Sequence, residues 1–432
     1  MTRAPESASR RSPSPEDSLS RPQLRPLPQI LQEIATHPDK SPNGFQNPFY
    51  DQAKKSPFTK EFVLEQVAHT RNGQQSPEKT AAHAQYEADA VWLVERVQAF
   101  EEALSTEFAG TALFDETQPF TEELVFKLYD FLVRFKPEKF PVWDCNPITR
   151  YSHEMQVMNF AQRTLYHIGA DMVYIHELCQ MWNTIVDGKI STTLDLDSNA
   201  LKLDPYYMMC RALLHDLGRF FTQDSRAHEE IPAAIAVRTG LRRDLLTLDD
   251  GNQSTHPRWY LLINLISKKT LIRIFEFWAD FNSKPDNDSV PEGTIVYMNI
   301  LKQLEKELAK VERYAYILKL IQQLEQLRQG DLRRVDRLFV YFLYSGRGYE
   351  PTTRQDAVDW RKILTDKYAE ANPDKLKYLL TEAQMLVDGV AFLKHIGIDP
   401  VELRKRVVER WQKLGPDVKN IRNCFPELEE AA

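Results

Sequence analysis

Apolar residues recur at helical spacing over much of the chain. Residues 84–104 and 121–136 carry apolar side chains at i, i+3, i+4 and i+7, which predicts two amphipathic helices. The same period runs through 152–186 on both sides of Gly169. Asp204 followed by Pro205 predicts the start of another helix, because an aspartate caps free backbone amides and proline suits the first helical position.

Helical periodicity also dominates the second half of the chain. It marks segments at 228–240, 257–267 and 268–283, and it returns beyond the turn-rich stretch 282–293. Residues 187–204 interrupt the pattern and predict a polar loop or a small hairpin. With only 15 glycines and few alternating β-branched runs, the sequence predicts an all-α fold.

Changes in composition along the chain suggest four regions. The first 80 residues are rich in proline and poor in periodic apolar positions, so a largely disordered tail is expected, with 27–35 as a short helix or a partner-docking segment inside it. The expected division is a tail over 1–80, a helical pair over 83–138, a helical core over 139–290 and a C-terminal helical region over 291–432.

Composition narrows the class of protein. Hydrophobic residues make up 42% and charged residues 27%, as in soluble globular proteins, and no stretch reaches the ~20 apolar residues of a membrane span. The net charge of −7 argues against general nucleic-acid binding. The N-terminus lacks an apolar secretory signal, and the four cysteines form no C-x-x-C pair, so a cytoplasmic protein with buried thiols such as Cys179 and Cys210 is expected.

The segment "RALLHDLGRF" (211–220) places His215 and Asp216 inside an otherwise apolar helical run. Burying a carboxylate is unfavourable unless it is paired with another group or binds a metal. Neighbouring residues on a helix point about 100° apart, so this pair can hold an ion only in a cleft that other helices complete. The pair alone is weak evidence for a metal site, so other candidate ligands in the sequence are needed to support one.

Two further residues supply that support. His153 lies 62 residues earlier (215 − 153), where "RYSHEMQV" starts a helix, and Asp280 lies 64 residues later (280 − 216), in "WADFNSK". Two imidazoles and two carboxylates form a mixed nitrogen and oxygen ligand set, which suits Mn, Fe, Co, Ni or Zn better than the all-oxygen cage of Ca or Mg. The sequence thus suggests a metal site of His153, His215, Asp216 and Asp280.

This arrangement resembles the HD-domain superfamily of metal-dependent phosphohydrolases over roughly residues 145–285. "RYSHEMQV" resembles its first histidine helix, "ALLHDLGRF" its signature segment with Arg219 where a lysine is common, and "WADFNSK" its closing segment. The resemblance implies an HD-domain-like helical core with added N- and C-terminal helices, and a divalent metal ion (Mn, Fe, Co, Ni, Zn or Mg). It also implies hydrolysis of a nucleotide or other small phosphate ester by an activated water, with Asp216 as ligand and water orienter.

Other residues near the four candidate ligands in the sequence are secondary candidates for the site. His228 and His256 are candidates for a second metal or a phosphate contact, although the doubled histidine of two-metal relatives is absent because Pro257 follows His256. Cations that could bind a phosphate stand near the candidate ligands: Arg150, Arg219, Arg258 and Lys284. Arg219 is favoured among them. The remaining histidines are expected at surface or ordinary core positions: His37, His69, His83, His167, His176 and His395.

Three functions therefore stay open on the sequence alone. The leading one is an HD-type phosphohydrolase with a small phosphorylated substrate. The second is a catalytically inactive HD-fold module for signalling or partner binding, and the third is a di-iron oxygenase that needs further ligands such as His228 or His256. The C-terminal helices are candidates for an interface with a second copy or a protein partner.

Overall fold

The computed structural model describes nine stretches of the chain. They are residues 26–36, 58–70, 79–141, 153–190, 198–222, 227–246, 268–283, 390–411 and 418–425. The chain divides into two compact units, of which one comprises Leu27–Pro257, Leu265–Asp286 and Leu393–Ala432. The other comprises Met1–Pro26, Arg258–Asn264 and Asn287–Phe392, and nearly all of it lies outside the described stretches. The four predicted regions and the predicted C-terminal interface stay predictions.

The fold is all-α, as predicted. The described residues form no strand. Their α-helices with both ends defined are α1 (Leu27–Thr36), α2 (Lys60–Thr70), α3 (Lys79–Glu107), α4 (Glu122–Arg134), α5 (His153–Ile185), α6 (Ser198–Leu201), α7 (Pro205–Leu214), α8 (Ala227–Thr239), α9 (Lys268–Ser283) and α10 (Pro400–Trp411). None of the helices in these stretches is long and apolar enough to cross a membrane.

Most predicted helices are confirmed. The two N-terminal amphipathic segments are α3 and α4, and the short helix expected within the predicted tail is α1. In place of the polar loop or hairpin, the described part of 187–204 contains a π-helical turn, Val186–Ile190, and the short α6. The predicted helix at 257–267 and the helical segments predicted between 294 and 389 lie outside the described residues.

The centre of the larger unit is α5, a helix of 33 residues that is about 50 Å long. Residues 167–179 are buried without exception, so this part of α5 is surrounded by protein on every side. Helices α7, α9 and α10 all pack against α5. A polar side chain in this buried run must therefore find its partners on neighbouring helices.

Helix α7 begins as the sequence predicts. The Asp204 carboxylate accepts hydrogen bonds from the backbone amides of Tyr206 and Tyr207, and Pro205 occupies the first turn. These bonds satisfy amides that have no partner within the helix. The cap thereby fixes where α7 starts and which of its residues face α5.

The end of α7 differs from the prediction. The helix ends at Leu214 instead of running on through Phe221, so His215 and Asp216 are not in mid-helix. Asp216 leaves the helical region with φ −106° and ψ 24°, and a 3₁₀ turn over Leu217–Phe220 follows, closed by the Arg219 amide on the Asp216 carbonyl at 2.8 Å. Gly218 favours this break because glycine is a poor helix former. The break removes the 100° separation that would keep the two adjacent side chains apart.

Helix α10 crosses α5 at a glycine. A Cβ atom on Gly169 would lie 3.0 Å from Cη2 of Trp411 and 3.3 Å from Cδ1 of Ile421. The Trp411 ring also stacks edge-on against Tyr166, with 4.7 Å between ring centroids. An ion pair between Glu177 and Arg410 joins the same two helices. The close approach of α10 to α5 therefore depends on glycine at position 169, which has no side chain.

We expect Gly169→Val to lower the free energy of unfolding by about 1–3 kcal/mol, because the larger side chain overpacks this crossing. Urea denaturation followed by circular dichroism measures the change. Gly188→Val is the matched control, since no atom of the described residues lies within 4 Å of a Cβ at Gly188. Equal effects of the two substitutions would contradict the close crossing at Gly169.

Candidate metal centre

The first histidine of the site is His167, which lies in the buried run of α5. Its Nδ1 atom is 2.9 Å from Oγ of Ser283 on α9. The Ser283 hydroxyl donates its only hydrogen to the Asp280 carbonyl at 3.1 Å, so it accepts from Nδ1–H of His167. This assigns the proton of the neutral imidazole to Nδ1 and leaves a lone pair on Nε2.

The second histidine is His215, at the end of α7. Its Nδ1 atom is 2.6 Å from the Ala212 carbonyl oxygen and 3.2 Å from Oδ2 of Asp171. Both neighbours carry acceptor oxygens, so Nδ1 of His215 is also the protonated nitrogen. Its Nε2 atom faces the cluster, as the corresponding atom of His167 does.

Four side chains from three helical segments converge at this point. The two Nε2 atoms of His167 and His215 are 3.2 Å apart. Oδ1 of Asp280 lies 3.0 Å from Nε2 of His167 and 3.5 Å from Nε2 of His215. Oδ2 of Asp216 lies 3.4 Å and 3.8 Å from the same two atoms. The ligand atoms of His167, His215 and Asp280 all lie within 4.8 Å of one another.

The separations among the ligand atoms of His167, His215 and Asp280 fit a divalent ion, and Oδ2 of Asp216 approaches the two histidine nitrogens. Ligand atoms about 2.1 Å from a metal, in tetrahedral or octahedral arrangement, are about 3.0–3.4 Å from one another. When both histidines are neutral, two lone pairs and two carboxylates face each other, which is repulsive unless a cation lies between them. The mixed nitrogen and oxygen donors suit the transition metals named above.

The electrostatics of the two histidines support this interpretation. Burial lowers the pKa of His215, but the negative charges of Asp171, Asp216 and Asp280 outweigh it and raise that pKa to about 10. Burial dominates at His167 and lowers its pKa, although Asp280 opposes the change. Burial also raises the pKa of Asp171 well above its usual range. The cluster therefore has an excess of acidic groups and favours a positive charge, which a proton on His215 or a metal ion supplies.

The structure brings together three of the sequence-predicted ligands, His215, Asp216 and Asp280. Arg219 lies beside them on the 3₁₀ turn, with Nε 3.9 Å from Oδ1 of Asp216 and a quarter of its side chain exposed. His228 is in the first turn of α8, and its side chain is outside the described ones. The other candidates lie outside the described residues altogether: Arg150, His256, Arg258 and Lys284.

The histidine that α5 contributes to this cluster is His167, for which the sequence predicts a surface or ordinary core position. His153 begins the same continuous helix 14 residues earlier (167 − 153), about 21 Å away along the axis. One ion cannot bind both residues. The side chain of His153 is outside the described ones, so its role stays a prediction that the helix geometry does not favour.

A signal for His167 was present in the sequence. Asp171 lies one helical turn after it, so the two polar side chains share one face of a strongly apolar helix. A histidine and an aspartate at this spacing in a buried run need partners from another helix. His153 is favoured as the first ligand only when a histidine at the start of a helix is taken as the signal.

Comparison of the whole chain with protein-family models, with curated proteins and with solved structures finds no match. No residue role can therefore be transferred from a relative.

Proposed function

We propose that this protein is a metal-dependent phosphohydrolase of the HD type that acts on a nucleotide or another small phosphate ester. The observation that carries the proposal is the convergence of the two Nε2 atoms with carboxylate oxygens of Asp216 and Asp280 at 3.0–3.8 Å. The proposed ligands are His167, His215, Asp216 and Asp280. Their order along the chain, a histidine, a His-Asp pair and a later aspartate, is the order that the resemblance implies.

The residues of the chain have distinct parts in this proposal. Ser283 holds the ring of His167, and the Ala212 carbonyl holds the ring of His215. Asp216 directs Oδ2 toward the histidines and has Oδ1 near Arg219, so one carboxylate links the ligand cluster to a guanidinium. A divalent ion held by the four ligands would supply Lewis acidity for the attack of water on a phosphorus–oxygen bond.

Arg219 is the proposed phosphate contact. Its guanidinium presents planar donors that match phosphate oxygens, and its partial exposure leaves it accessible to a substrate. Phosphate recognition therefore lies next to the proposed ligands and not among them.

We expect Arg219→Ala to raise KM for a phosphorylated substrate by about 10–100-fold, because a charge-assisted hydrogen bond is worth roughly 1.5–3 kcal/mol. Steady-state hydrolysis of p-nitrophenyl phosphate and a panel of nucleotides, with Mn²⁺, Co²⁺, Ni²⁺, Zn²⁺ or Mg²⁺, measures it. Arg243→Ala is the control, since Arg243 is exposed on a different turn. An unchanged KM with unchanged metal binding would remove Arg219 from the proposal.

The variants His215→Ala and Asp216→Ala test the function itself. We expect each to lose both metal content and hydrolysis, and unchanged values of both would refute the proposal. A wild-type protein that binds one ion but hydrolyses none of the panel would support the inactive HD-fold module. Two irons per chain would support the oxygenase.

The proposal places the reaction in the cytoplasm. Among the described residues, Cys179, Cys210 and Cys424 are buried free thiols, as the sequence predicts for the first two. Unpaired cysteines are the usual state in reducing compartments. The thiols favour this location and do not enter the proposed chemistry.

A further inference from the structure

Asp171 lies behind His215 on the side away from the proposed ion. It belongs to α5, one turn after His167, and 2% of its surface is exposed. Its Oδ2 atom is 3.2 Å from Nδ1 of His215. Its Oδ1 atom is buried and has no hydrogen-bond partner among the residues that the structure describes.

Such a carboxylate is unfavourable for folding. A buried acceptor without a partner loses its hydration without replacement, and a buried charge loses more. Among the described residues, the charged groups that act on Asp171 are His215 and three other carboxylates, those of Asp216, Glu276 and Asp280. His215 is the sole cationic partner among them. A role in packing alone does not account for an acid at this position.

The position of Asp171 beside Nδ1 of His215 does explain the orientation of the His215 ring. Nδ1–H of His215 donates to the Ala212 carbonyl, and Oδ2 of Asp171 lies 3.2 Å from the same nitrogen, so the two together hold the plane of the ring and direct Nε2 toward His167. A carboxylate beside the protonated nitrogen of a ligating imidazole also raises the basicity of the opposite nitrogen. Removal of such a partner typically weakens metal binding by about 10–100-fold.

We propose that Asp171 is a positioning residue that orients His215 and strengthens its Nε2 atom as a ligand of the divalent ion. This inference depends on the proposed metal site. Asp171 acts through His215 and does not itself contact the ion. Its unfavourable burial is offset when a cation occupies the cluster.

This role differs from a structural one in the direction of two effects. Asp171→Asn keeps the volume and an acceptor oxygen but removes the charge. If Asp171 positions His215, the substitution lowers the affinity for the ion and leaves the stability of the metal-free protein unchanged or higher. If Asp171 is structural, the substitution lowers the stability of the metal-free protein instead.

The experiment compares the full-length wild type with Asp171→Asn. Isothermal titration calorimetry gives the affinity for whichever of Mn²⁺, Co²⁺, Ni²⁺ or Zn²⁺ the wild type binds most tightly. Urea denaturation of the metal-free proteins gives their stability. We expect about 10–100-fold weaker binding by the variant and an unchanged or higher urea midpoint.

Asp89→Asn is the matched control. Asp89 is a fully buried carboxylate on α3 that is bonded to Lys139 Nζ at 2.5 Å, and it does not belong to the cluster. We expect this control to lose stability and to keep its affinity for the ion. The same pattern in both variants would mean that loss of any buried carboxylate gives the effect, and it would overturn the inference.

The outcomes separate the two proposals. A wild type that binds none of the four ions overturns the proposed function, and the inference falls with it. A wild type that binds an ion which Asp171→Asn binds equally well overturns the inference alone. A variant that fails to fold, or has a lower urea midpoint without weaker binding, assigns Asp171 a structural role and also overturns the inference alone.

Discussion

Replacement of His167 by alanine is expected to weaken the binding of a divalent ion by more than about 100-fold, whereas replacement of His153 leaves it unchanged. The loss exceeds the 10–100-fold expected for a residue that acts through a ligand, because His167 is itself a proposed ligand. The two histidines belong to one helix, but only His167 is 3.2 Å from His215 and 3.0 Å from Asp280. Calorimetric titration of both variants with Mn²⁺ or Co²⁺ measures the difference.

His167→Gln serves as a control for this experiment, since it preserves much of the volume and the polarity beside Ser283 while it removes the imidazole. We expect it to bind the ion as poorly as His167→Ala and to unfold closer to the wild type in urea. The opposite pattern, with binding lost in His153→Ala and kept in His167→Ala, would show that the cluster is an ordinary hydrogen-bonded core.

Breaking the buried ion pair between Arg211 and Glu276 is expected to lower the free energy of unfolding by about 3–5 kcal/mol, because the remaining charge is left buried without its partner. Arg211 on α7 binds both carboxylate oxygens of Glu276 on α9, with 3.0 Å between Nη2 and Oε2. Both side chains are buried. Each is one helical turn before a proposed ligand, since His215 follows Arg211 and Asp280 follows Glu276 by four residues.

Urea denaturation of Glu276→Gln and Arg211→Met measures this loss. The double variant Arg211→Met/Glu276→Leu is expected to recover most of the stability, since apolar residues of similar volume often replace a buried ion pair without loss. The pair also fixes α7 against α9, so both single variants should bind the ion more weakly. A loss below about 1 kcal/mol in each single variant would contradict the buried ion pair.

Much of the fold was predictable because apolar periodicity reports helices directly. The cap of Asp204 and Pro205 located the start of α7, and the period through 152–186 gave α5 as one helix. The end of α7 was not predictable in the same way. The break at Asp216 depends on local backbone geometry before Gly218, while the apolar pattern continues through Phe221.

The site was predictable in part. His215, Asp216 and Asp280 followed from their order and context, but the choice between His153 and His167 needed the packing of α5 against α9. Ser283, whose hydroxyl donates to the Asp280 carbonyl, holds His167 from another helix, and no local pattern reveals that contact. Asp171 was missed for the same reason, because its partner His215 is 44 residues away (215 − 171).

The metal content of the purified full-length protein tests the central claim most directly. The protein is freed of metal, dialysed against Mn²⁺, Co²⁺, Ni²⁺ or Zn²⁺ in turn, and analysed by inductively coupled plasma mass spectrometry together with His167→Ala. One divalent ion per wild-type chain, absent from the variant, is the result that a centre of His167, His215, Asp216 and Asp280 requires. A folded wild type that retains none of the four ions, or retains as much as the variant, would contradict it.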